Sequence, residues 1–239
     1  MDVRTARWRT VLGTMIVVAA ISPIVAQQEN VGEMVPIKDA AEHSSDDSRV
    51  LYLDAVAAFR QLEMAESARF FDLQIAAKPD DKPELWERGI ALYYAERWAD
   101  CADQFESHHT VNPGDVENAV WHYLCVAKTE GHEVARERMY PQDDSRVPMP
   151  EVWGLFRGTK SVDDVLAAAE KTGAPDSELR QLGRFHAHLY IALWHESNGD
   201  SENSLAHLQR GLQGLSSGHF MEMVARAHLQ LRRRQALAP

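Results

Sequence analysis

Apolar residues recur along most of this chain three and four positions apart, the spacing that lines one side of an α-helix. Val50, Leu51, Val56, Ala58 and Phe59 form one stripe, and Phe70, Phe71, Leu73 and Ile75 a second. Pro79 then ends the run, because proline cannot continue the helical hydrogen-bond ladder. From Pro83 to Asp115 the pattern predicts two more helices joined by a short turn, with Trp98 opening the second. Trp121, Leu124 and Ala127 carry the stripe into a third, shorter pair near 116–139. Pro141, Pro148 and Pro150 interrupt it, so 140–175 reads as an insertion holding two short helices, Glu151 to Phe156 and Val162 to Lys171. Ser161 stands where a side-chain cap for the second of these is needed, followed by Asp163 and Asp164. Helical order returns with Leu182, Phe185, Leu189, Ala192 and Leu193, turns at Asn198-Gly199-Asp200, and continues through Leu205, Leu208 and Leu212. A last helix, Phe220 to Arg234, is expected to cap the end.

The first two pairs repeat each other. The interval from Pro79 to Pro113 is the same as that from Phe71 to Phe105 and from Ala55 to Gly89. A small residue, an aromatic one and a proline at one shared period mark a repeated structural unit. Gly89, Cys101, Phe105 and Pro113 fall at the spacing of the tetratricopeptide repeat, and the chain resembles that family over 48–139 and, more loosely, over 177–216. The resemblance implies an all-α fold, a right-handed α-α superhelix of about 3–4 irregular repeats (near 48–81, 82–115, 116–139 and 177–216) plus a capping helix, within a domain spanning 48–235. It also implies a concave groove lined by the first helix of each pair. Carried onto the second unit, the groove positions are Pro83, Trp86, Ile90, Tyr93 and Tyr94. Aromatic side chains on such a face serve as anchors for a peptide or helix, unless a neighbouring helix covers them.

Arg88 stands at a position the family keeps apolar, with Asp54 in the equivalent place one period earlier. A buried guanidinium needs a counter-charge, so an Asp54–Arg88 ion pair is expected.

The 239-residue chain has room for one sizeable core, and its net charge is −11. An acidic chain gains nothing from a phosphate backbone, which argues against nucleic acid as partner. The basic cluster Arg232, Arg233, Arg234 reads as the cationic end of a helix. Arg4, Arg7 and Arg9 precede an apolar run from Val11 to Ala26, the form of a signal peptide over 1–26, or alternatively an uncleaved N-terminal anchor. Residues 27–47 follow as a polar linker. Export to the periplasm or beyond is therefore expected. Cys101 and Cys125 fall on the inward faces of adjacent helices, where they are either bonded or two small core residues.

Signatures of catalysis are absent: no nucleophile elbow, phosphate loop or dinucleotide turn occurs. His132-Glu133 and His195-Glu196 begin like a zinc-protease motif, but Arg136 and Gly199 stand where the second histidine must be. No catalytic residue, metal or cofactor is expected. The expectation is an exported interaction module that grips a peptide or helix of an envelope protein, self-association being a variant. The alternative is a small-ligand or enzymatic pocket between the array and the 140–175 insertion.

Overall fold

The computed structural model describes residues 45–215 and 217–237, with the side chains at 47–215 and 217–235. The expected signal segment and most of the expected linker lie outside this range. Among the described residues there are eleven α-helices, one 3-10 helix and no strand. The α-helices are α1 (Ser45–Arg60), α2 (Met64–Ala77), α3 (Trp86–Tyr94), α4 (Trp98–His109), α5 (Val116–Glu130), α6 (His132–Glu137), α7 (Met149–Arg157), α8 (Val162–Ala169), α9 (Glu178–Ser197), α10 (Ser201–Gly211) and α11 (Phe220–Leu237). Pro79–Glu84 is the 3-10 helix, and it contains Pro83. That residue, expected on the groove-lining helix, therefore precedes α3.

The first two helical pairs share a backbone feature. Leu62, between α1 and α2, and Glu96, between α3 and α4, both adopt left-handed conformations, with φ of 66° and 61°. The interval from Leu62 to Glu96 equals that from Ala55 to Gly89, so the two turns are equivalent places in successive pairs. Each reverses the chain so that the second helix of a pair folds onto the first. The small-residue positions behave as their spacing implies. A Cβ on Gly89 would lie 2.6 Å from the Phe105 ring, so only glycine admits so close a crossing of α3 and α4. Ala55 and Phe71, their counterparts one repeat earlier, are both buried in the core.

Packing runs in sequence order: α1 on α2, α2 on α3, α3 on α4, α4 on α5, α5 on α6. The expected insertion does not stand outside this order. Helix α7 packs on α5 and on α9, and α8 packs on α7 and α9. Residues 149–169 thus hold two helices packed on α5 and α9. Both are short, nine and eight residues, and the proline-rich loop before them breaks the spacing from the preceding pair, so they read as an insertion. Ser161 caps α8 as expected, in a reciprocal box with Asp164. After α9 and α10, helix α11 packs on α10 and also on α1. The last helix therefore returns to the first.

The expected Asp54–Arg88 pair does not form. Arg88 Nε and Nη2 donate to Asp72 Oδ1 at 3.0 and 2.8 Å, and Nη1 donates to Gln104 Oε1 at 2.8 Å. Helix α3 meets α2 and α4 at this point, whereas Asp54 lies on the exposed side of α1. The requirement for a partner is met, but from α2. Asp72 also binds Arg97, so one carboxylate ties α2 to the start of α4.

Candidate functional site

Helix α3 brings Trp86, Ile90, Tyr93 and Tyr94 to one side, as the periodicity implies, but that side is not open. Phe220 of α11 packs edge-on against Trp86, with ring centroids 5.1 Å apart, and also lies 5.8 Å from Phe59. Tyr94 packs edge-on against Phe59 and His228 at 5.9 and 5.7 Å. Ile90 and Tyr93 are buried. The C-terminal helix thus covers the aromatic face.

Polar groups lock this cover. The Tyr94 hydroxyl hydrogen-bonds His228 Nδ1 at 2.8 Å, and His228 Nε2 meets the Glu196 carboxylate of α9. Arg232 donates to both oxygens of Glu196, at 2.7 and 2.6 Å. Burial alone would raise the Glu196 pKa, but His228 and Arg232 outweigh it and hold the carboxyl at about 2. The Tyr94 hydroxyl moves the other way, well above its usual value, through burial and the nearby Glu196 charge. The hydroxyl therefore stays protonated.

At the Trp86 end lies a cavity of about 420 Å³, lined by Trp86, Phe105, His108, Asn118 and Trp121, with Glu84, Asp115 and Glu117 also on its walls, His219 just before α11 and Met221 in its first turn. Its size falls in the usual range for small-molecule sites, roughly 300–1,000 Å³. Phe105 and Trp121 lie nearly parallel, 6.4 Å apart. His108 Nδ1 bonds the Pro83 carbonyl at 2.7 Å, which fixes its ring. Asn118 is 2% exposed, yet neither atom of its side-chain amide has a hydrogen-bond partner. Buried amide groups in proteins are nearly always satisfied. This one lies beside the cavity with a donor and an acceptor unused, both atoms closed to solvent.

The acidic side of the cavity is organised by Arg146, which lies in the loop before α7. Its guanidinium bonds Glu117 at 2.9 Å, Asp115 at 2.8 Å and Asp144 at 2.6 Å. The Tyr190 hydroxyl of α9 donates to the other oxygen of Glu117. One cation thus serves three carboxylates. Burial first, and repulsion from Glu117 second, raise the Asp115 pKa. Glu84 makes no ion pair among the described residues.

Cys101 of α4 and Cys125 of α5 are joined as a disulfide, with Cα atoms 5.9 Å apart. His188 and His195 on α9 gain a third neighbour that spacing along the chain does not reveal, His207 of α10. His188 Nδ1 and His207 Nδ1 are 2.9 Å apart, and the His195 ring stacks on His207 at 5.5 Å. Burial, then the neighbouring His188 and His195, lower the His207 pKa to about 4. Among the described residues no three His, Cys, Asp or Glu side chains are arranged to hold a metal ion.

Sequence reasoning missed Asn118, Glu117, Arg146 and Tyr190. For Asn118 a signal existed: a polar residue directly before the apolar run Ala119-Val120-Trp121. For the others there was none, since the loop and α9 meet α5 only in three dimensions.

No protein-family model matches the chain, and no curated protein matches it.

Proposed function

We propose that this chain is an exported, non-catalytic binding module, a superhelix of helical pairs similar to tetratricopeptide repeats, that takes a ligand into the cavity beside Trp86. The repeat reading is supported by the left-handed turns one period apart, by the Gly89–Phe105 crossing and by packing in sequence order. Export is supported by the Cys101–Cys125 bond, since disulfides persist in oxidising compartments. The observation that carries the binding reading is the cavity itself, about 420 Å³ and walled by Trp86, Phe105 and Trp121. A concave, largely aromatic wall with a few polar groups is the usual form of a small-ligand site.

The test is a ligand-observed NMR screen of small polar compounds and short peptides against the full chain and its Trp86→Leu variant. The expected result is a set of binders lost in the variant. If every binder survives Trp86→Leu, or none exists, the cavity is not the site.

A second reading is favoured by α11 itself. The aromatic face accepts a helix, so a helix from an envelope protein or a second copy of the chain could take that place if α11 is exchanged. Dimers that form on concentration and vanish in a His228→Leu, Arg232→Leu variant would support it.

A further inference from the structure

Where the end of α1 meets α11, Arg60 and Arg226 line one cavity of about 300 Å³. Arg226 is paired with Glu222, whose other oxygen takes the Ser217 hydroxyl. Arg60 makes no ion pair among the described residues. Its Nε donates instead to the thioether sulfur of Met223, at 3.3 Å. A thioether is a weak acceptor, so this contact does little to balance the guanidinium. Met223 lines the same cavity. It is half-buried, whereas Met64, Met139, Met149 and Met221 are 6%, 5%, 1% and 2% exposed. Among the described methionines, Met223 is therefore the one a small solute reaches.

We propose that Met223 is a site of reversible oxidation, and that its sulfoxide fastens α11 to α1 through Arg60. The oxidant is a peroxide. The sulfur lone pair attacks one oxygen of hydrogen peroxide and the O–O bond breaks. That oxygen stays on sulfur, and its proton passes to the departing hydroxide, which leaves as water. The thioether is oxidised to a sulfoxide and the peroxide is reduced. Buried in a core, such a product disrupts packing. Here the cavity leaves room for the added oxygen, and Arg60 already donates to the atom that carries it. The sulfoxide oxygen is a far stronger acceptor than sulfur, and a charged donor strengthens the bond further. A weak contact between the first helix and the last becomes a firm one.

Peroxide titration of the folded full chain, read by peptide mass mapping and urea unfolding, tests this in the wild type and in Arg60→Leu. Oxygen uptake at Met223 is expected to be at least severalfold faster than at Met64, Met139, Met149 and Met221. At the dose where Met223 alone of these has reacted, the urea midpoint is expected to rise in the wild type and not in Arg60→Leu. A methionine sulfoxide reductase is expected to reverse the rise. A peroxide-free check uses Met223→Gln, whose side-chain carbonyl stands in for the sulfoxide oxygen. Its midpoint is expected to exceed that of Met223→Leu, and the difference to vanish when Arg60→Leu is added. Uptake at Met223 no faster than at the four buried methionines overturns the site. A midpoint that fails to rise on oxidation, or that rises equally in Arg60→Leu, overturns the fastening role.

Discussion

At the scale of single residues, Asn118 and Arg88 show two ways a polar side chain can live in this core. Arg88 is buried and fully engaged, with Asp72 and Gln104 on either side. Asn118 is buried and unengaged. Replacing Asn118 with leucine, of similar size, is therefore expected to raise the unliganded protein's stability, by about 1–3 kcal/mol, as the urea midpoint would show. A loss of stability would mean that the amide is part of the framework. Arg88→Met, by contrast, leaves Asp72 to Arg97 alone and the buried Gln104 amide oxygen without a donor, and a loss of about 1–3 kcal/mol is expected. The need for a partner at position 88 was legible from the sequence, because the repeat places that position inside. Which aspartate answers was not, since both Asp54 and Asp72 lie on the preceding pair and only packing decides between them.

Titration belongs to this scale as well. Burial lowers the pKa of His122, His186, His188 and His207. The unfolded chain takes up protons near pH 6.5, whereas folded His207 resists until about 4. Their stabilisation is thus complete above pH 6.5 and is lost as pH falls toward 4. Glu196, held at about 2, adds a second loss between roughly pH 4.5 and 2. Glu87 and Asp115, raised chiefly by burial, act in the opposite direction. Urea midpoints measured from pH 7.5 to 4.5 are expected to decline, and His207→Gln is expected to flatten the decline. An unchanged slope in that variant would remove His207 from the account.

At the scale of elements, helix pairs and their turns were readable because each is written in local signals. The prolines at 79 and 113, the cap at Ser161 and the Asn198-Gly199-Asp200 turn all act within a few residues of themselves. In 140–175 both helices were readable as well, but their packing on α5 and α9 was not, because those contacts are long-range. Two substitutions probe the repeated geometry. Gly89→Ala drives a methyl into the Phe105 ring and is expected to cost about 1–3 kcal/mol. Glu96→Gly relieves a left-handed backbone on an exposed residue, with an expected gain of up to about 1 kcal/mol. Thermal unfolding of both variants reads out the pair. The link between α4 and α5 is covalent, across a sequence separation of 24. Reducing it is expected to lower stability by about 3 kcal/mol, measured as the shift in urea midpoint with and without reductant.

At the scale of the whole molecule, the fold class was legible and the closure was not. Periodicity reports which face of a helix is apolar. It does not report what covers that face. Helix α11, expected as an end cap, packs on α10, and its Phe220, His228 and Arg232 also reach α1, α3 and α9. Removing residues 217–239 is expected to abolish cooperative unfolding, because Phe59, Trp86 and Tyr94 lose their cover together. A truncated chain that still melts in one sharp transition would show that α11 is dispensable to the core.

The contact between α11 and α1 also constrains the molecule's size. An open array of hairpins can grow or shrink by a unit, since each unit meets only its neighbours. Among the described residues α11 also has to meet α1, so a hairpin inserted between them has to be accommodated at that contact. A duplicated hairpin, harmless in an open array, would carry the closing helix past its seat and leave the ends unjoined.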